Sequence, residues 1–177
     1  MDNRKLELVT DFYEFTMSNG YFAKSMNNVN AYFDVFFREI PAGGGYVIFA
    51  GLEQIIEYIQ TLHFESEDIS YLKSTNKFSD EFLNYLKDFK FSGDIWAVPE
   101  GTVVFPTEPL ITVKAPLIEA QLLETMLLLL INHQSLIATK ARRIVSAAKG
   151  RHVMDFGARR AHSIDAAAYG ARAAIIG

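Results

Sequence analysis

His152-Val-Met-Asp-Phe-Gly-Ala-Arg-Arg-Ala-His-Ser-Ile-Asp-Ala-Ala-Ala-Tyr-Gly-Ala-Arg-Ala-Ala-Ile-Ile-Gly177 sets the class of fold that the rest of the chain must serve. Val153 to Phe156 is a short apolar run interrupted by Asp155, the pattern of a buried parallel strand. Gly157 ends that strand and allows a sharp turn. Arg159 and Arg160 then stand together in a loop, and Ser163 or Asp165 caps the next helix, predicted over Asp165–Tyr169. The alanines of that helix mark a close-packed face. Ile175-Ile176-Gly177 reads as the first residues of a second parallel strand. Strand, arginine-bearing loop and capped helix together form the local design of an anion site: guanidiniums bring charge and forked donors, and a helix N-terminus brings free N–H groups. Two adjacent loop arginines are most often solvated surface. Their placement at the C-terminal end of a buried strand, where α/β folds hold ligands, favours the functional reading.

The chain has 177 residues, of which 50% are hydrophobic and 13% aromatic, enough for a real core. A net charge of −4 makes a poor surface for general nucleic-acid binding. With no cysteine there is no disulfide scaffold and no thiolate zinc site, which fits a cytoplasmic home. The first residues lack the apolar core of a signal peptide. The longest apolar run, Met126 to Ile131, is far short of the ~20 residues of a membrane helix and is expected to be a buried core helix.

Upstream, Thr10 or Asp11 is an N-cap for a helix carrying Phe12, Phe15 and Met17, with Gly20 as its C′ stop. Tyr13 falls off that stripe, as a tyrosine half-buried at a helix start. Asn30 to Arg38 alternates as a strand, with Tyr32, Asp34, Phe36 and Arg38 on one face and Ala31, Phe33, Val35 and Phe37 on the other. Pro41 and Gly43-Gly44-Gly45 make a loop without the spacing of a phosphate-binding fingerprint. A short apolar run after Tyr46 leads to a helix with Leu52, Ile55, Ile56 and Ile59. Two amphipathic helices follow, Ser66–Leu72 and Ser79–Phe89, the second capped by Ser79. From Asp94 to Ala115 the chain reads as short antiparallel strands punctuated by Pro and Gly. Pro116 opens a long helix to about Ile131, and Ser135 or Thr139 begins another ending at Lys149, with Gly150 as C′. A domain boundary is expected between Leu117 and Ser135. No carboxylates and histidine gather in a ligand arrangement, so no metal site is assigned. His162 is read as a loop histidine and His133 as a core or helix-end residue, while His63 and His152 carry no usable signal.

Thr10-Asp11-Phe12-Tyr13, Tyr32-Phe33 through Phe37-Arg38, Gly51-Leu52-Glu53, and Asp155-Phe156-Gly157-Ala158-Arg159-Arg160 with its Ala/Gly-rich helix, taken in order, resemble nicotinate phosphoribosyltransferases. Each motif alone is weak, and the ordered set is specific. The resemblance implies an α/β fold: an α+β sandwich domain over residues 1–130, then the first βα units of an irregular α/β barrel over 131–177, truncated. It implies transfer of phosphoribosyl from 5-phosphoribosyl-1-diphosphate to nicotinate, yielding nicotinate mononucleotide and diphosphate, coupled to ATP, with Mg²⁺ on the phosphates. It implies a cytoplasmic homodimer with shared sites and neither nucleic-acid nor membrane partners. By motif, Phe156 and Tyr13 would cover the two faces of the pyridine ring, Tyr13 from the other subunit. Arg159 would bind phosphate or carboxylate with Arg160 in support, and Arg38 would reach phosphates. The family's phosphorylated histidine lies in a later motif that this sequence does not reach. A non-catalytic module that dimerises, or a phosphoribosyltransferase for nicotinamide or quinolinate, are the alternatives.

Overall fold

The computed structural model describes residues 5–40 and 43–177, so Pro41 lies outside the described residues. Two compact units interleave along the sequence. The first takes Met1–Phe33, Gln54–Trp96 and Thr112–Leu127, the second Asp34–Glu53, Ala97–Ile111 and Leu128–Gly177.

The first unit is built on aromatic packing. Helix α1 (Phe12–Ala23) starts at Asp11 and buries Glu14, Phe15 and Ser18. Its Phe15 meets Phe64 edge to face at 5.8 Å between ring centroids, and Phe64 meets Phe89 at 5.4 Å. Gly20 does not stop this helix. The next turn carries Phe22, whose ring lies 5.9 Å from Phe82 and 5.4 Å from Tyr85, and that burial outweighs the modest cost of a mid-helix glycine. The turn comes instead after Lys24, at Ser25, whose φ is 56°. After α2 (Leu52–Thr61), α3 (Ser66–Ser74) and α4 (Asp80–Lys87) follow the expected pattern, and the Ser79 hydroxyl accepts from the Phe82 N–H at the start of α4. Strands β1 (Asn30–Val35), β3 (Asp94–Ala97) and β5 (Ile111–Pro116) form a sheet in the order β1-β5-β3. Inner and outer faces of β1 alternate as read from the sequence, although pairing ends at Val35 rather than Arg38.

The second unit centres on a two-stranded antiparallel pair, β2 (Val47–Ile48) with β4 (Val103–Val104). Phe49 continues this ladder toward β4: its N–H donates to Thr102 O (3.0 Å) and its carbonyl accepts from Gly101 N (2.8 Å). The opposite edge of the same segment faces a helix. Following the short α5 (Leu117–Gln121), α6 runs unbroken from Glu124 to Ala148. Ser135 and Thr139, one turn apart, lie inside it and start no new helix. The Thr139 hydroxyl accepts from Ile48 N (2.8 Å) and donates to Ser135 O (2.6 Å). The Ser135 hydroxyl accepts from Ala50 N and donates to Ala50 O, both at 3.0 Å. Ile48, Ala50, Ala138 and Ala173 form the core between them, with Tyr46, Ile137 and Ile176 packed around it. By length and composition, Leu117–Ala148 is long and apolar enough to cross a membrane, but 56% of its apolar window is buried inside the protein, as in a core helix.

Two elements expected near the end of the chain differ from the sequence reading. Val153–Phe156 is not a strand. Met154 and Phe156 are 74% and 69% exposed, and among the described residues no strand pairs with the segment, so neither burial nor hydrogen bonding holds it in a sheet. The first βα unit expected for a barrel is therefore represented by its loop and helix alone. Ile175 and Ile176 are also not a strand. They finish α7 (Ile164–Ile176), where a run of alanines sustains the helix and Ile176 joins the Ile48–Ala138–Ala173 core.

Candidate functional site

The N-terminus of α7 and the loop before it are shaped by short-range bonds. Asp155 Oδ1 accepts from Gly157 N at 2.6 Å, which turns the chain into a single 3₁₀ turn over Ala158–Arg160. Gly157 has an ordinary φ of −78°, so its backbone does not demand glycine. A Cβ there would instead sit 2.8 Å from Asp155 Oδ1, so the constraint comes from the carboxylate. Ser163, one of the two expected caps, accepts from Ala166 N at 3.1 Å.

Between this loop, α7 and α6 lies a recess of about 340 Å³, within the size range of sites for small ligands. Its polar lining is His133, Asp155, Arg160 and His162. The opposing wall is made of small residues, Ala166, Ala167, Gly170 and Ala171 among them. Gly170 matters to that wall: a Cβ would come 3.1 Å from Ile137 Cδ1, so its absence lets the two helices approach at the floor of the recess. One cation with five directed donors, two imidazoles and a single carboxylate make a surface suited to a phosphate or carboxylate ligand.

The structure distributes the expected site residues unevenly. Arg160 and His162 face the recess, while Arg159 and Phe156 sit exposed on the same loop and do not line it. His133, read as a core or helix-end residue, is mid-helix and lines the recess instead. Arg38 belongs to the second unit, is exposed beyond the end of β1 and is not among the lining residues. Tyr13 belongs to the first unit.

Tyr13 stands in the first turn of α1, 44% exposed, and its hydroxyl donates to Glu124 Oε1 at 3.0 Å. Partial desolvation and that carboxylate, with smaller contributions from Glu14 and Asp11, push the phenol up to about 12. The buried Gln121 amide donates to the other oxygen of Glu124 at 2.8 Å. Beside it, Asp11 N donates to Thr125 Oγ1 at 3.1 Å, and the Thr125 hydroxyl donates to Glu14 Oε1 at 2.5 Å, while Thr10 donates to the other oxygen. Glu14 is fully buried, and burial raises its carboxyl above the usual range even though both hydroxyls pull it down.

Arg172 and Glu100 form a group that no local pattern reveals, because 72 residues separate them. Arg172 Nη1 and Nη2 donate to the two oxygens of Glu100 at 2.9 and 2.6 Å, and its Nε donates to Glu53 Oε2 at 2.9 Å. Glu100 also accepts from Gly51 N (2.6 Å) and Leu52 N (3.0 Å) at the start of α2. Burial works to raise the Glu100 carboxyl, but Arg172 and the two N–H groups together hold it below the ordinary value.

Residues 8–132 match the family model described as the nicotinate phosphoribosyltransferase N-terminal domain. A nicotinate phosphoribosyltransferase of Mycobacterium tuberculosis is 50% identical over 165 residues, covering 93% of this chain and 35% of the relative. One of Bacillus subtilis is 45% identical over 172 residues, covering 97% and 35%. The crystal structure of human nicotinic acid phosphoribosyltransferase superposes with a TM-score of 0.88 at 32% identity, over 95% of this chain and 34% of that one. The chain thus spans about a third of the length of these relatives.

Proposed function

Because the chain belongs to the nicotinate phosphoribosyltransferase N-terminal-domain family, we propose that it acts, as part of the whole enzyme, in joining nicotinate to 5-phosphoribosyl-1-diphosphate to give nicotinate mononucleotide and diphosphate, coupled to ATP hydrolysis. The observation that supports this most directly is the recess at the head of α7, where Arg160, His133 and His162 converge against a wall of small side chains. Residues 131–177 would open the barrel of the enzyme and present this recess to a phosphorylated sugar.

In this reading the Arg160 guanidinium in the recess, with Arg159 beside it on the exposed loop, neutralises the donor's phosphates and the charge that develops on departing diphosphate. The transition state carries positive charge on the ribose, so catalysis depends on holding ring nitrogen and anomeric carbon in line more than on a strong base. Phe156 and Tyr13 would clasp the flat pyridine, Tyr13 contributed by a second copy of the chain in a homodimer, and Arg38 from that copy would add charge at the phosphates. The exposure of Phe156 and Tyr13 leaves their rings free to receive a partner.

Mg²⁺ is the ion that such phosphates carry. Among the described residues no three metal-ligating side chains gather. Asp155 is the carboxylate on the recess that could add a ligand. When bound, the ion would withdraw charge from the diphosphate leaving group.

Conversion of radiolabelled nicotinate by the full-length protein tests this reading, with Arg159→Ala and Arg160→Ala as controls. Loss of a phosphate-binding guanidinium should lower kcat/KM by about 10² or more. Unchanged turnover in both variants would remove the role given to the pair.

A further inference from the structure

We propose that Glu124 is a positioning residue for Tyr13: its carboxylate, anchored by Gln121, pins the tyrosine ring in the one rotamer that can close over a flat aromatic substrate. The inference rests on the reading of Tyr13 as a ring contact and adds to it the device that holds the ring ready.

The geometry separates this role from simple structural support. The first turn of α1 is already fastened without Glu124: Asp11 N binds Thr125, Thr125 binds Glu14, and Phe15 is buried in the aromatic cluster. Tyr13 keeps 44% of its surface exposed, so the bond from its hydroxyl is not what holds α1 in place. What the bond does is remove rotamer freedom from an exposed aromatic side chain. That freedom would otherwise have to be given up when a ligand arrives. The anchoring is directional. Glu124 offers one oxygen to Tyr13 and the other to a Gln121 amide that is 3% exposed, so the carboxylate cannot turn away without leaving a buried donor unpaired. The carboxylates around the phenol, Glu124, Glu14 and Asp11, are all acceptors or negative charges, which keeps the hydroxyl a donor across the working pH range.

The test uses the full-length protein and a coupling cycle between the two residues. In Glu124→Ala, KM for nicotinate should rise about two- to tenfold with kcat little changed, the size of effect expected for one side chain that must be ordered on binding. Tyr13→Phe, which keeps the ring but cannot be pinned, should show the same rise, and the double variant should be no worse than either. Glu124→Gln keeps one acceptor oxygen for the Tyr13 hydroxyl but sets an NH2 against the Gln121 amide, so its KM should fall between those of the parent and Glu124→Ala. A Glu124→Ala effect that adds in full to Tyr13→Phe would overturn the proposal. An independent readout is the ¹³Cζ-tyrosine NMR signal of Tyr13. It should resist titration to about pH 11 in the parent and titrate at lower pH in Glu124→Ala, still above the ordinary tyrosine value because the partial desolvation remains. A Tyr13 signal that titrates identically in both proteins would refute the Glu124 bond itself, whatever the substrate. A titration that shifts while KM does not would show the bond to be real and the ring contact, with the positioning role, to be wrong.

Discussion

Replacing Thr139 with valine removes one hydroxyl and almost nothing else. The two side chains share shape and β-branching, so helix α6 and the rotamer are retained. The hydroxyl takes the Ile48 N–H at 2.8 Å, in a residue only 4% exposed, and valine leaves that donor buried without a partner. An unsatisfied buried backbone donor costs about 1–3 kcal/mol. The Ser135 carbonyl, which also loses the Thr139 hydroxyl, is an acceptor within α6 and should contribute less. Ser135→Ala strands both the N–H and the C=O of fully buried Ala50, so its cost should be larger, roughly 2–4 kcal/mol. Urea unfolding of the full-length protein would measure both, with Thr139→Ser as the control that keeps the hydroxyl. In thermal scans the valine variant should melt about 2–4 °C lower for each kcal/mol lost in a domain of this size. A Thr139→Val protein within about 0.5 kcal/mol of the parent would mean that Ile48 finds another acceptor, and the account of how this strand edge is satisfied would be wrong.

Other perturbations read different parts of the structure. Gly51→Ala forces an L side chain into a φ of +111° and places its Cβ 2.7 Å from Leu130 O, so it should destabilise by at least ~1–3 kcal/mol in the same urea assay. Glu100 has a folded-state pKa below its ordinary value of 4.5. Its stabilising contribution is therefore complete above that value and is lost as pH falls through the folded pKa. Glu100→Gln should accordingly flatten the acid limb of a Tm–pH curve while lowering its neutral plateau. Glu14 has the opposite sign. Its carboxyl is raised on folding, so between 4.5 and the raised value the folded chain binds more protons than the unfolded one and stability declines as pH rises. The Tm difference between Glu14→Gln and the parent should thus move in the variant's favour from about pH 4 to about pH 7, and a difference that shrinks over that range would contradict the assignment.

Much of the fold could be read from local pattern. The alternation from Ala31 to Phe37 gave the less exposed face of β1, and the Ser79 cap gave the start of α4, because both depend on residues close in sequence. The misreadings share one cause. Ser135 and Thr139 have the chemistry of helix caps, yet their hydroxyls serve a strand some 85 to 91 residues away, and no local rule reveals that. Val153–Phe156 has the composition of a strand, but a strand exists only through a neighbour. Ile175 and Ile176 are β-branched, and tertiary packing of Ile176 together with the alanine run kept them helical. At the candidate site the sequence located the loop and the helix. It could not tell which arginine of the adjacent pair would face the recess, since that choice is made by the 3₁₀ turn set by Asp155. His133 was missed for a related reason: its part in the recess depends on the close approach of a second helix at Gly170.

The hydroxyl ladder on α6 also has a consequence for how the protein meets other chains. One helical turn of four residues rises about 6 Å, and two residues of a strand rise about 6.6 Å, so Ser135 and Thr139 fall almost in step with alternate amides of the strand opposite. A helix thereby takes the place a further strand would fill, and fixes its alignment against slipping. Bare strand margins invite intruding segments and lead to clumping. This one is sealed from within, so self-association cannot begin by backbone pairing at this edge of β2.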